Sequence, residues 1–252
     1  GVRKLKEILF EIIGEINLSL ASKICIPCAA DNVDNFLEEI NLIQKNQDIK
    51  YIELRFDSLN LDDLNNSNIK KILDNINPNI KTIATCRQKQ HGGDFTGDTQ
   101  TQQQILQYAN DLGCDYIDID HPIYNQIKIN NLKAKIIISY HNFENTPDIK
   151  TLNKLKDDMV QTDADIIKIA VMSNNTDDAK SIYSLLVQNN SKPIITIGMG
   201  DMGKITRAVA PILGSYLTFA KIKESNNKFS APGIIEFEEL KLLYQQLQNI
   251  SN

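Results

Sequence analysis

The chain has 252 residues, is 42% hydrophobic, and carries 27 basic against 32 acidic residues, a net charge of -5. That is enough apolar sequence for one large α/β domain or two small ones, and the acidic balance without a basic tract argues against nucleic acid as a partner. The longest apolar runs are strand-sized, well short of the roughly 18–20 residues that span a bilayer, so no membrane partner is expected.

From the start of the chain, the apolar run from Leu5 to Leu20 is broken by Lys6, Glu7, Glu11 and Glu15. That pattern predicts an amphipathic helix and not a signal peptide, and a cytoplasmic location is the resulting expectation. Strand-like runs follow near 23–28, 50–57, 80–86, 115–119, 134–139, 165–170, 193–198 and 213–220. Helical patterns fall near 32–45, 61–74, 99–111, 121–128, 148–160, 174–188, 203–209 and 233–248. The last places Phe237, Leu240, Leu243, Tyr244 and Leu247 on one stripe. Strict alternation implies parallel strands. Eight units in this length fit a closed (β/α)8 (TIM) barrel better than an open sheet. No composition break divides the chain. The expectation is one domain over 1–252, with 1–21 an N-terminal extension and 22–252 the barrel core. The Asn-rich patches at 65–68, 174–175 and 189–190 read as loops and caps.

The cysteines are Cys25, Cys28, Cys86 and Cys114. Cys25-Ile26-Pro27-Cys28 has the C-x-x-C form of a redox or half-zinc site. In a strand, however, a spacing of three puts the two side chains on opposite faces. No second C-x-x-C completes a zinc site, so a structural role is expected.

Three strands carry ionisable residues where valine or isoleucine is usual. In Tyr51–Asp57, Ile52, Leu54 and Phe56 share one face, and Glu53, Arg55 and Asp57 share the other. A parallel barrel strand has no solvent face, so the polar set must point into the barrel near its C-terminal rim, where active sites of this architecture lie. Ser139, His141 and Phe143 share a parity in the same way, as do Ile166, Lys168 and Ala170, and Thr85 and Arg87 close the third strand similarly. A salt-bridged structural interior would use the same pattern. The lysine in Ile166-Ile167-Lys168-Ile169-Ala170 is the sharpest signal. An amine in an apolar strand loses hydration, which favours its neutral, nucleophilic form and suggests Schiff-base chemistry.

Together these motifs resemble type I 3-dehydroquinate dehydratase, a Schiff-base enzyme of the shikimate pathway. The likeness runs from about Lys23 to the end of the chain. It rests on Glu53-Leu54-Arg55-Phe56-Asp57; Thr85-Cys86-Arg87 with Gly92-Gly93; Ser139-Tyr140-His141-Asn142-Phe143 with Thr146-Pro147; Ile167-Lys168-Ile169-Ala170; Met199-Gly200-Asp201-Met202-Gly203 with Arg207; and Ser230-Ala231-Pro232-Gly233. The resemblance implies that Lys168 forms an imine with the ketone of 3-dehydroquinate. It implies that His141 is the general acid and base of a syn elimination giving 3-dehydroshikimate. Arg207 would bind the substrate carboxylate. Glu53, Arg55 and Arg87 would hold ring hydroxyls and the carbonyl region. Ser230 would sit on a closing loop, roughly 223–233. No cofactor and no metal are implied, and the family is commonly homodimeric.

Two positions depart from the family pattern. His91 stands where a Glu or Gln that hydrogen-bonds the histidine is expected, and our reading is that a neutral His91 orients His141. Ile234 stands where Gln often touches substrate, and no binding role is carried onto it. Gly198-Met199-Gly200-Asp201-Met202-Gly203 also has the G-x-G-x-x-G form of an NAD-dependent oxidoreductase, but in the seventh unit and not at the start of a Rossmann half. A class I aldolase on the same barrel shares the strand lysine, and a barrel that binds a carboxylated metabolite without turnover is the non-enzymatic alternative. Asp118, Asp120 and His121 could ligate a metal, or else cap a helix or make a polar contact behind Lys168; the latter pair of readings is favoured.

Overall fold

The computed structural model describes residues 20–188, 190–225 and 232–251, with side chains up to Leu247. Apart from Leu20, which opens a 3-10 turn over Leu20–Lys23, the expected N-terminal helix lies outside the described residues. Within the described part, nine strands alternate with seven α-helices. The strands are β1 (Ile24–Cys28), β2 (Tyr51–Arg55), β3 (Lys81–Thr85), β4 (Tyr116–Asp120), β5 (Lys135–Asn142), β6 (Ile166–Met172), β7 (Ile194–Met199), β8 (Thr218–Lys221) and β9 (Ile235–Glu236). The helices are α1 (Val33–Gln44), α2 (Asn66–Asp74), α3 (Thr99–Asp111), α4 (Ile149–Val160), α5 (Thr176–Leu186), α6 (Lys204–Val209) and α7 (Phe237–Ser251). None of them is long and apolar enough to cross a membrane.

The strands form one parallel sheet in the order β7-β6-β5-β4-β3-β2-β1-β8-β9. The sheet curls until β7 meets β8. There Tyr216 N donates to Ile194 O at 2.8 Å, and Thr196 N donates to Ser215 Oγ at 3.4 Å. This is the (β/α)8 barrel expected from the alternation, with local departures: β8 starts at Thr218 and not near 213, β5 runs on to Asn142, the helix expected from 61 starts at Asn66 behind a 3-10 turn over Leu61–Asp63, and three further differences have a local cause. The segment after β4 is a 3-10 stretch, His121–Gln126, in place of a helix over 121–128, and Pro122 sits in its first turn without an amide to donate. The second strand stops at Arg55, and Phe56–Ser58 turn as a 3-10 helix. The final helix starts at Phe237 because Ile235 and Glu236 pair with Ala220 and Lys221 as β9.

Asparagines start three helices, as their turn chemistry favours. Asn32, Asn65 and Asn175 accept from backbone amides one turn on, and Asn175 with Asp178 completes a capping box. Alternation along the strands splits the core in two. Ile52, Leu54, Ile117, Ile138, Ile167 and Ile169 pack outward against the helices. Cys25, Ile83, Ile137, Ile166, Ile195 and Phe219 fill the barrel. Cys25 and Cys28 fall in different layers, and all four cysteines are free and buried. Each fully buried Ile or Phe contributes on the order of 1.5–3 kcal/mol.

Candidate active site

Parallel register aligns the polar strand ends. Arg55 lies opposite Thr85, Thr85 opposite Asp118, Asp120 opposite Ser139, and Ser139 opposite Lys168. Because one parity points inward, Glu53, Arg87, Asp118, Asp120, Ser139, His141 and Lys168 converge at the C-terminal rim. Of these, Glu53, Arg87, His141 and Lys168 line a cavity of about 430 Å³, together with Arg55 and Arg207. That volume lies in the ordinary range for small-ligand sites.

Lys168 is 4% exposed, yet its amine is not surrounded by hydrocarbon as its sequence neighbours suggest. Nζ donates to Asp118 Oδ2 at 3.1 Å and to Glu53 Oε1 at 3.3 Å. It also stands over the Phe219 ring, 4.5 Å from the centroid, a cation–π geometry. Glu53 Oε1 accepts a further bond from Thr85 Oγ1 at 3.0 Å.

Arg87 ties the neighbouring carboxylates together. Its Nε donates to Asp120 Oδ1 at 2.7 Å, and its Nη2 donates to Asp118 Oδ1 at 2.6 Å and Ser139 Oγ at 3.0 Å. Burial opposes the charge on Arg87, but Asp118, Asp120 and Glu53 outweigh it and hold the guanidinium firmly protonated. The two carboxylates differ. Burial raises Asp118, but Arg87 and Lys168 overcome this and hold it well below the usual range. Asp120 is pushed up by burial, which Arg87 only partly offsets while Asp118 repels it. Arg55 makes a two-point pair with Asp57, Nε to Oδ1 at 2.9 Å and Nη2 to Oδ2 at 2.6 Å. Asp57 also accepts from Asp94 N at 3.1 Å, which pins the Gly92–Gly93 loop beside the cavity.

The His141 side chain is 7% exposed and stacks on Phe143, with ring centroids 6.0 Å apart. Burial first, and then Arg87 and Lys168, push its pKa well below the ordinary 6.5, so the imidazole is neutral near pH 7. Arg207, on α6, is 1% exposed. Its Nη2 donates to Pro232 O at 3.3 Å, its Nε is buried without a hydrogen-bond partner, and it makes no ion pair among the described residues. Burial lowers it from 12.5 to about 10. A buried guanidinium without a counter-ion is a receptor for an anionic group.

The model for the family "Type I 3-dehydroquinase" matches residues 24–251. A 3-dehydroquinate dehydratase of Coxiella burnetii (strain Dugway 5J108-111) is 41% identical over 231 residues, covering 91% of this chain and 95% of that protein. The chain belongs to the type I 3-dehydroquinase family. A 3-dehydroquinate dehydratase of Methanococcus maripaludis is 32% identical, covering 89% of this chain and 100% of its own. Among solved structures, the Clostridium difficile type I 3-dehydroquinate dehydratase with covalent modified comenic acid superposes with a TM-score of 0.80 at 27% identity, covering 90% of this chain and 92% of that one.

For a type I 3-dehydroquinase, the expected residues gather as the strand parity implies, with corrections. No hydrogen bond joins His91 to His141 among the described residues. His91 Nε2 faces Gln90 Nε2 at 3.4 Å, and Nδ1 of His141 has no hydrogen-bond partner among them. The orientation of His141 by a hydrogen bond from His91 is therefore not what this site contains. Ser230 lies outside the described residues. Ile234 does line the cavity, as an apolar wall. The glycine motif is built for packing. A Cβ on Gly203 would meet Gly198 O at 2.4 Å, and Gly200 has φ +80. The amides a phosphate would need are spent inside the protein: Gly198 N bonds Thr206 Oγ1 at 2.8 Å and Gly200 N bonds Pro232 O at 3.0 Å. Asp118 is the polar contact behind Lys168, and the described residues contain no group of three or more His, Cys, Asp or Glu placed to hold a metal ion. Phe219 was not anticipated. Only the β1–β8 register, which pairs it with Cys25, brings it under the lysine.

Proposed function

We propose that this chain dehydrates 3-dehydroquinate to 3-dehydroshikimate, the third step of the shikimate pathway, through an imine at Lys168. The observation that carries this reading is a buried amine and a neutral imidazole on one rim, with a guanidinium on the same cavity that has no ion-pair partner among the described residues.

In this reading, Lys168 gives up a proton to water in the cavity, and Nζ attacks the C3 ketone. Loss of water gives a protonated imine, which withdraws electrons and acidifies the adjacent C2 proton. His141 removes that proton, and the electron pair moves into the enamine. The enamine then expels the C1 hydroxyl, to which His141 returns the proton. One imidazole performing both transfers works on one face of the ring, which makes the elimination syn. Water hydrolyses the imine and frees Lys168. The substrate carboxylate pairs with Arg207. Arg55 and Arg87 have committed Nε and Nη2 to protein partners, so each offers its Nη1 hydrogens to ring hydroxyls or the carbonyl region, with Glu53 as acceptor. The covalently modified Clostridium difficile relative is in keeping with a nucleophile in this site. We also propose a single barrel domain over 1–252 and a cytoplasmic location, both on the sequence pattern, and a homodimer and a binding role for Ser230, both on the family resemblance.

Enone absorbance after adding 3-dehydroquinate tests the activity. The parent chain should generate it, and Lys168→Met or His141→Ala should each lower kcat by about 10²-fold or more. A parent that releases no enone, or that cleaves a carbon–carbon bond as an aldolase would, overturns the reading.

A further inference from the structure

The buried Nδ1 of His141 has no hydrogen-bond partner among the described residues. A buried polar atom left unpaired costs roughly 1–3 kcal/mol and calls for a reason. The carboxylate facing it is Asp120, whose Oδ1 lies 3.9 Å away. We propose that Asp120 is the positioning residue of the acid/base histidine: it closes onto Nδ1 of His141, fixes the tautomer, and balances the charge when the ring takes a proton. This rests on the function proposed above.

The geometry favours such a motion. Asp120 and His141 occupy the rim ends of β4 and β5, whose register pairs Asp120 with Ser139, two residues before His141. A shift of about 1 Å brings 3.9 Å to hydrogen-bond length. The carboxylate is already aimed, because Arg87 Nε holds the same oxygen at 2.7 Å. With Nδ1–H donated to Asp120, the lone pair stands on Nε2, the nitrogen left for the substrate proton. At rest, burial, Arg87, Lys168 and Arg55 all disfavour a charged ring, and Asp118 favours it. Glu53 on β2 and Asp57 beyond it are already committed, to Lys168 and Arg55 respectively. A ring in this field that must accept a proton in every turnover needs an anion at its back, and Asp120 occupies that place. His91 does not, since it faces Gln90. The same Arg87 also grips Asp118, which bonds Lys168, so one guanidinium holds the supports of both the base and the nucleophile.

The test uses the full chain with Asp120→Asn, Asp120→Ala and Asp120→Glu. Asp120→Asn and Asp120→Ala should lower kcat about 10- to 100-fold, a part of what a positioned general base supplies. KM should change little, because Asp120 stands behind the cavity lining. The acid limb of the kcat profile should move to lower pH, since a ring without its counter-charge protonates less readily. Asp120→Glu should recover part of kcat. Borohydride trapping with substrate should still label Lys168 in all three, which separates this proposal from the imine itself. Parent-like kcat and acid limb in both Asp120→Asn and Asp120→Ala would overturn the positioning role. The parent alone gives a second measurement if these variants fail to fold. Its ¹⁵N-histidine spectrum, assigned with His141→Ala, should show the Nδ1–H tautomer, and an Nε2–H ring would overturn the proposal. A parent with no trapped adduct would instead sink the underlying Schiff-base reading.

Discussion

Arg207→Met should make the ligand-free protein more stable while crippling substrate binding. Burial brings the guanidinium from 12.5 to about 10, and no counter-ion among the described residues offsets it. At about 1.4 kcal/mol per pKa unit, holding the charge in the empty site costs on the order of 3 kcal/mol. The folded-state value lies below the unfolded one, so this penalty acts at every pH below about 10 and fades only as pH rises towards 12.5. Methionine removes the charge, keeps most of the buried length, and gives up one bond to Pro232 O at 3.3 Å, worth about 1 kcal/mol. The net gain should be about 1–2 kcal/mol, a rise of about 2–8 °C in Tm for a chain of this size. The substrate carboxylate meanwhile loses its buried partner, worth at least about 2 kcal/mol, so KM should rise about 30-fold or more. Thermal unfolding without ligand and enone-release kinetics give the two numbers. A variant that is less stable than the parent and keeps its KM would refute the assignment of Arg207 as an unsatisfied anion receptor.

Other consequences follow from the same charges. His141 is held well below 6.5, so the folded state binds fewer protons than the unfolded chain, and stability falls as pH drops below 6.5. Between pH 7 and pH 5 this one ring should therefore lower stability, and urea unfolding of His141→Gln should show that part of the slope gone; an unchanged slope would refute it. Asp57→Asn takes the charged partner from a buried Arg55 and should lose about 3–5 kcal/mol in denaturant unfolding, whereas a loss below 1 kcal/mol would mean the pair is dispensable. Gly233→Ala should lower kcat/KM, because Gly233 has φ +72 and a Cβ there would lie 2.1 Å from Gly200 O, displacing the Pro232 carbonyl that holds Arg207; parent kinetics would show the turn to be irrelevant.

The rim was legible in the sequence because barrel geometry leaves no solvent face for Glu53, Arg55, His141 or Lys168 to point at. Alternation together with the barrel therefore named the inward set. The environment of Lys168 was not legible. Its sequence neighbours are isoleucines, but its spatial neighbours are Asp118 and Glu53, from strands 50 and 115 residues earlier in the chain. Such pairing depends on register, which one sequence does not reveal. The same holds for β9, since Ile235-Glu236 is a strand only because β8 offers it an edge. His91 misled for a related reason. Its sequence distance from Arg87 matched the expected pattern, but the 3-10 turn over Lys89–His91 aims its ring at Gln90. The segment after β4 carried helix-like periodicity, and Pro122 tightened it into a 3-10 turn instead.

Everything in this account turns on whether Lys168 is the nucleophile. Incubating the protein with 3-dehydroquinate, reducing with borohydride and mapping peptides by mass spectrometry asks that directly. A stable adduct should form on Lys168 and on no other lysine, and should be lost in Lys168→Met. A reduced adduct elsewhere, or none while enone is released at the parent rate, would contradict Lys168 as the nucleophile.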